Sequence, residues 1–233
     1  MNIHPIKAFS DNYIWCIQEE TEVVVVDPGK ASVVLDYLEE NQLRLAAILL
    51  THMHEDHTGG VREILASHPE CLVYGPEETK DLVNSVVKED DSFHLMGQTF
   101  QVYESGGHTH GHISFLMGNH LFCGDALFSA GCGRVFTGDY EAQYETFQKF
   151  KHLDDDINVY AGHEYTETNL RFAYEIQPDN KKISNSLDEV QEMRAKDQPT
   201  LPSTIGREKE INLFLQAETL EDFIELRNAR DNF

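Results

Sequence analysis

No apolar run in the chain approaches the roughly 18 residues that a membrane-spanning helix needs. The opening stretch MNIHPIKAFSDNYIW has no charged segment followed by an apolar one. Neither a membrane span nor a secretory leader is therefore expected. Cysteine is scarce: Cys16, Cys71, Cys123 and Cys132 are the four, and none is spaced CxxC. A chain of 233 residues can bury a core without disulfides. The cysteines accordingly read as reduced thiols, and the cytoplasm is the expected compartment. Positive charge is scarcer still relative to negative, with 18 Lys and Arg against 41 Asp and Glu and a formal net charge of −23. That deficit argues against nucleic acid or an anionic membrane as a partner. It also means that an anionic small molecule would need a local patch of cations. No segment repeats at a fixed period and none is of low complexity.

What is present is a globular composition. Apolar residues make up 40%, and the length suits one large domain or a domain with a smaller appendage. NYIWCIQ and EVVVVDPG read as strands, the second closed by Asp27-Pro28-Gly29. ASVVLDYLEENQ has helical spacing of apolar residues at Val33, Val34, Leu35 and Leu38. LRLAAILLTH reads as a buried strand, VREILASHP as a short helix stopped by Pro69, and CLVYGP as a strand. The polar pattern of residues 76–97 gives no assignment. TFQVYES, HISFLMG and HLFCGD are further strands, the last two joined by a tight Gly118-Asn119 turn. YEAQYETFQKFKHL is a helix and INVYAGHE a last strand; from Glu164 onward the pattern is helical. Several strands follow one another without an intervening helix, which excludes a simple alternating parallel sheet. The expected organisation is a strand-rich domain over 1–170 and a helical region over 171–233.

One group of residues stands out. THMHEDHTGG places His52, His54, Asp56 and His57 directly after the apolar run AAILL. His108 follows in GGHTHGHIS, Asp125 in FCGDALF and His163 in YAGHEY. Each follows or closes a strand, where loops converge at one edge of a sheet. Imidazoles and carboxylates crowded together suit borderline to hard divalent metals. Uncompensated, the aspartates would raise each other's pKa. Seven donors are too many for one tetrahedral ion and fit two ions that share a carboxylate. His110 and His112 compete with His108 as candidates. His4, His68, His94, His120 and His152 read as ordinary histidines.

HxHxDH with a downstream His, Asp and His resembles the metallo-β-lactamase superfamily. More narrowly, THMHEDHTGG, GGHTHGHI, FCGDALFSAGCGR, YAGHEYTETNLRFA, LPSTIGREKEINLFL and LRNARDNF are similar to the glyoxalase II, or hydroxyacylglutathione hydrolase, family almost from end to end. The resemblance implies an α+β fold: a metallo-β-lactamase αβ/βα sandwich of two mixed sheets flanked by helices, with a small C-terminal helical domain that binds glutathione. It implies two divalent metal ions, zinc first and iron or manganese as alternatives. His52, His54 and His108 would hold one ion and Asp56, His57 and His163 the other, with Asp125 bridging. His112 would stand behind these ligands. A metal-bridging hydroxide would hydrolyse S-(2-hydroxyacyl)glutathione thioesters such as S-D-lactoylglutathione, the second step of methylglyoxal detoxification. Asp56 would orient the hydroxide or collect its proton. Arg134, Tyr165, Arg227 and Arg230 would bind the substrate; Arg227 and Arg230, three apart, share a helical face. No Ser or Cys nucleophile is required, and GCG around Cys132 reads as a tight backbone loop. Phe136 stands where some members carry Tyr, and NLFLQ replaces a more usual Asn-Pro-Phe-Leu-Arg. A monomer is expected. The alternatives are a mononuclear iron persulfide dioxygenase, another hydrolase of the same fold such as a lactonase or β-lactamase, and a metal-binding protein without catalysis.

Overall fold

The computed structural model covers residues 1–233. The first sheet is built from β1 (Asn2–Ala8), β2 (Asn12–Glu19), β3 (Glu22–Val26), β4 (Arg44–Leu49), β5 (Leu72–Gly75) and β6 (Ser85–Val86), in that spatial order. Its first three strands form an antiparallel meander, and β3 to β6 are parallel. Helix α1 (Ala31–Asn41) crosses from β3 to β4. The short helices α2 (Glu55–Thr58) and α3 (Val61–Ser67) cross from β4 to β5. The second sheet holds β7 (Ser92–Leu95), β8 (Gln98–Glu104), β9 (Ile113–Met117), β10 (His120–Gly124), β13 (Asn158–Ala161) and β14 (Ser203–Thr204). There the meander β7–β10 continues by parallel pairing of β10 with β13. Between β10 and β13 lie a hairpin of β11 (Leu127–Phe128) and β12 (Gly131–Cys132), then α4 (Tyr140–Lys151).

Strands β3, β4, β9 and β10 read as apolar runs because both of their faces are covered, whereas β8 alternates buried Phe100 and Val102 with exposed Thr99, Gln101 and Glu104. Val24 and Val26 join Trp15 and Ile17 in the core between the sheets. Val23 and Val25, on the opposite face, pack with Val34 and Leu38 of α1 and Val61 and Ile64 of α3. The sheets meet face to face: Trp15 packs edge-on against Tyr160 at 4.9 Å, and Tyr74 stacks on Phe93 at 4.1 Å. Trp15 Nε1 donates to Ala161 O at 2.9 Å, which satisfies its one polar atom inside this core.

The C-terminal segment is α5 (Thr166–Ile176), α6 (Lys181–Arg194), α7 (Ile205–Ile211), α8 (Leu213–Gln216) and α9 (Leu220–Asp231). It is not purely helical, since β14 pairs antiparallel with β13 and extends the second sheet. The stretch 76–97 holds a 3₁₀ turn at Glu77–Thr79 together with β6 and β7. GCG, expected as a tight backbone loop, instead contains β12, the second strand of the β11–β12 hairpin. NLFLQ forms α8, with Asn212 as its N-cap accepting Phe214 N–H. No helix is long and apolar enough to cross a membrane.

Candidate active site

Four chain segments deliver the polar cluster. Residues 51–57 follow β4 of the first sheet; His108 lies in the β8–β9 connection, Asp125 follows β10 and His163 follows β13 of the second. The cluster therefore sits between the ends of two sheets, not at the edge of one as the strand pattern led us to expect. A local pattern reports that a strand ends, and only tertiary packing reports which sheet it belongs to.

The structure brings all seven expected side chains together. His52 Nε2 and His108 Nε2 lie 3.1 and 3.0 Å from His54 Nδ1. His57 Nε2 and His163 Nε2 are 3.3 Å apart, and Asp56 Oδ2 lies 3.5 and 3.3 Å from them. Asp125 reaches both groups: Oδ1 is 3.3 Å from His57 Nε2, and Oδ2 is 3.4 Å from His108 Nε2 and 3.3 Å from His163 Nε2.

The outer nitrogens fix the tautomers. His57 Nδ1 donates to Asp27 Oδ2 at 3.0 Å, His163 Nδ1 to Asp11 Oδ1 at 2.7 Å, and His108 Nδ1 to Arg134 O at 2.8 Å. Thr51 Oγ1 already donates to Asp27, so it accepts from His52 Nδ1 at 3.0 Å. In the neutral rings each of these Nε2 atoms turns its lone pair inward, as a metal ligand requires. The lone pairs of neutral His57 and His163 face one another at 3.3 Å and repel unless positive charge stands between them. Asp125 Oδ1 is a buried oxygen without a hydrogen-bond partner, which calls for the same thing.

Charge follows this geometry. Burial pushes His52, His108 and His112 down and keeps them neutral. Burial also opposes protonation of His163, but the Asp125 carboxylate overrides it and raises His163 to about 10. A hydrogen bond from His163 holds the Asp56 carboxyl well below the usual range. The two acids thus draw positive charge into the cluster, and divalent cations meet that demand with the donor set present.

His112 is buried beside the cluster. Its Nε2 accepts Asp125 N–H at 3.2 Å, its Nδ1 lies 2.8 Å from Ser105 Oγ, and its ring stacks on His52 at 4.8 Å. His110 is exposed and outside the cluster; His4, His68, His94, His120 and His152 lie outside it as well. Gly133 shows how tightly the hairpin closes over the site, because a Cβ there would lie 1.9 Å from Asp125 O. Burial pushes the Cys132 thiol up, and its sulfur contacts Arg227 Nη1, so it is no ready nucleophile.

A cavity of about 580 Å³ opens from the cluster. Its lining includes Asp56, Asp125, His54, His108 and His163 of the cluster together with Arg134, Arg227, Arg230 and Asp231. Phe128, Phe136, Tyr165 and Phe233 line the walls. Tyr165 stacks on His163 at 4.8 Å, and burial pushes its hydroxyl up, so it stays protonated as a donor. Phe136 is 63% exposed, with its ring edge-on to His54 and His108. The arginines differ. Arg134 is exposed, with Nε 3.3 Å from Asp231 Oδ1, and Arg230 is half-buried. Arg227 is buried, donating from Nη1 to Cys132 O and from Nη2 to Asp231 Oδ1, both at 2.8 Å.

Several residues of this site escape a reading of the sequence. Asp27 ends an apolar strand just as Asp125 does, so the signal that found one was available for the other. Asp11 sits in the turn FSDN and Asp231 on a polar helix, where an acid is the ordinary surface residue.

A sandwich of two mixed sheets, with imidazoles and carboxylates gathered where strands of both sheets end, is the architecture of a metallo-β-lactamase-type protein. The model of the metallo-β-lactamase superfamily matches residues 9–163, and that of the hydroxyacylglutathione hydrolase C-terminus matches residues 164–233. A hydroxyacylglutathione hydrolase of Glaesserella parasuis is 50% identical over 234 residues, and one of Actinobacillus pleuropneumoniae serotype 5b is 48% identical, each aligned over all of both chains. Among solved structures, ETHE1 from Myxococcus xanthus superposes with a TM-score of 0.75 over 98% of this chain and 90% of that one, at 24% identity. The chain belongs to the hydroxyacylglutathione hydrolase family of the metallo-β-lactamase superfamily. The family resemblance and the fold expected from the motifs are both borne out. The fold family and the His/Asp clusters together suit divalent metal ions.

Proposed function

We propose that the protein hydrolyses S-(2-hydroxyacyl)glutathione thioesters, S-D-lactoylglutathione among them, to the 2-hydroxy acid and glutathione, the second step of methylglyoxal detoxification. The observation that carries this reading is one cavity lined both by divalent-cation donors and by three arginines. The chain has 23 more acidic than basic charges, yet it concentrates cations there. Glutathione, with two carboxylates, is a ligand that needs such a patch.

In this reading His52, His54 and His108 hold one ion, Asp56, His57 and His163 the other, and Asp125 both. Zinc is the first candidate, and iron or manganese suit the same donors. When bound, the ions supply a hydroxide at neutral pH and a Lewis acid for the thioester carbonyl. The protein's own groups do the rest. Asp11, Asp27 and the Arg134 carbonyl keep the imidazoles in one tautomer and orientation. Asn12 Nδ2 donates to Asp56 Oδ2 at 2.9 Å, which leaves Oδ1 to take the proton of the attacking water. Tyr165, Arg134 and Arg230 orient the glutathione moiety, and Arg227 also holds the hairpin that forms the cavity wall. The leaving thiolate needs no strong general acid, because a thiol's pKa is only about 8.5. All these groups come from one chain, so we read the enzyme as a monomer. Its four buried free thiols fit a reducing cytoplasm.

Metal analysis paired with hydrolysis of S-D-lactoylglutathione tests the reading. About two divalent ions per chain, with turnover lost on chelation and regained with metal, is the expected result. Both ions without thioester cleavage would overturn it. Arg230→Ala and Arg134→Ala should each raise KM for glutathione thioesters by about 10-fold, the effect of losing one charge-assisted contact, with a smaller fall in kcat. Thioesters lacking glutathione should be insensitive to both changes. Arg227→Ala should raise KM as well and, by freeing Cys132 O, lower Tm.

A further inference from the structure

The 3₁₀ turn Glu77–Thr79 lies at the end of β5, outside the cavity. It is firmly seated, since Thr79 N and Oγ1 both donate to Pro76 O, at 2.9 and 2.8 Å. From it Glu78 projects between two loops. Its Oε1 accepts Thr109 Oγ1–H at 2.6 Å and Met53 N–H at 3.1 Å, and its Oε2 accepts Gly111 N–H at 2.8 Å. Met53 is the residue between His52 and His54, and Thr109 follows His108. One carboxylate thus bonds next to His54 and next to both imidazoles, His52 and His108, that converge on its Nδ1.

The two loops come from different sheets, so no strand pairing sets the distance between them. Near their base Ile113 N–H donates to Thr51 O at 2.9 Å. At the tip Glu78 makes the connection. The Met53 side chain is exposed and anchors nothing. Gly111 lets the backbone come this close, because a Cβ there would lie 2.8 Å from Glu78 Oε2. Three donors pointing at one carboxylate make strong, directional bonds that a neutral acceptor of the same size does not reproduce.

We propose that Glu78 is a positioning residue for the His52–His54–His108 ion, holding the loops of the two sheets at the spacing that lets these imidazoles converge. The proposal rests on the metal assignment made above and deepens it. Glu78 does not line the cavity, so it acts through the ligands and not on the substrate.

The test is zinc titration of the stripped protein against a chromophoric chelator, with Tm of the stripped form recorded alongside. Glu78→Ala should weaken one Zn²⁺ site by about 10- to 100-fold and leave the other at the parental value. Glu78→Gln should fall between: its carbonyl oxygen keeps one set of donors while its amide N–H₂ meets another donor. Glu77→Ala, on the same turn and exposed, should bind like the parent. In a His54→Ala background, Glu78→Ala should leave the remaining ion unchanged. With limiting zinc, kcat of Glu78→Ala should fall at unchanged KM, and excess zinc should restore it. Parental affinity at both sites overturns the proposal, as does equal weakening of both sites with a lowered Tm of the stripped protein. A parent binding fewer than two Zn²⁺ overturns the metal assignment itself and the proposal with it, a result distinguishable from either.

Discussion

Replacing Asp125 by Ala should lower kcat for the glutathione thioester by about 10³-fold, equivalent to about 4 kcal/mol of activation free energy. Bound metal should fall at the same time. The size of the effect follows from position. Asp125 reaches both groups, 3.3 Å from His57 and His163 and 3.4 Å from His108. Its backbone is fixed from behind, since its N–H donates to His112 Nε2 and Gly124 before it adopts φ +48°. Truncation therefore removes the shared carboxylate without moving the chain that carried it. Of the two acids that face the inward ring nitrogens only Asp56 then remains, and the positive charge that holds them together has lost its main partner. Asp125→Asn keeps the shape but offers one neutral oxygen, so it should retain more metal than the Ala variant and turn over more slowly than the parent. Two ions with undiminished turnover in Asp125→Ala would remove the bridging role.

How much of this site a sequence discloses depends on whether the signal is local. HxHxDH was legible because four donors within six residues, after a buried strand, have few structural uses. The lone donors His108, Asp125 and His163 were legible because each follows or closes a strand. Strand existence was equally local: Val23 to Val26 read as a buried strand because both faces are covered. Pairing was not local. Strand β14 has two residues and no period, yet it joins the helical segment to the second sheet. Strand β1 contains Pro5, which is tolerated because β1 is the edge of its sheet. Glu78, Asp11 and Glu208 gave no signal at all. An acid in a polar stretch reads as a surface residue, and its importance comes only from distant donors that fold around it.

Glu208 shows that dependence most strongly, and its removal should be the most destabilising of the substitutions considered. It lies on α7, fully buried. Its Oε1 accepts the hydroxyls of Ser129 and Ser203, and its Oε2 accepts Ala130 N–H at 2.7 Å and Asn212 Nδ2 at 3.2 Å. Ser129 and Ala130 form the tip of the β11–β12 hairpin, and Ala130 holds a left-handed φ of +55°. Asn212 and Asn169 add hydrogen bonds to the carbonyls of Phe128, Gly131 and Ser129 in the same hairpin. Glu208→Ala leaves these donors buried without an acceptor, and the expected loss is about 3 kcal/mol of stability. Because the hairpin leads into Cys132, Arg134 and Phe136 of the cavity, KM should rise in the same variant. Glu208→Gln should behave oppositely. Its carbonyl can take the two N–H donors and its amide can donate to the two hydroxyls, which rotate to suit. Burial raises the Glu208 carboxyl above its ordinary 4.5 despite those hydrogen bonds. The folded chain then holds this proton more tightly than the unfolded one. Stability accordingly falls as pH rises from 4.5 through the folded-state value, and the deficit persists above it. Glu208→Gln lacks this titration. Denaturant midpoints measured from pH 4 to 8 should show the Gln variant gaining on the parent across that interval and matching or exceeding it at neutral pH. A Gln variant that declines with pH in parallel with the parent would show that the buried carboxyl is not the source of the slope.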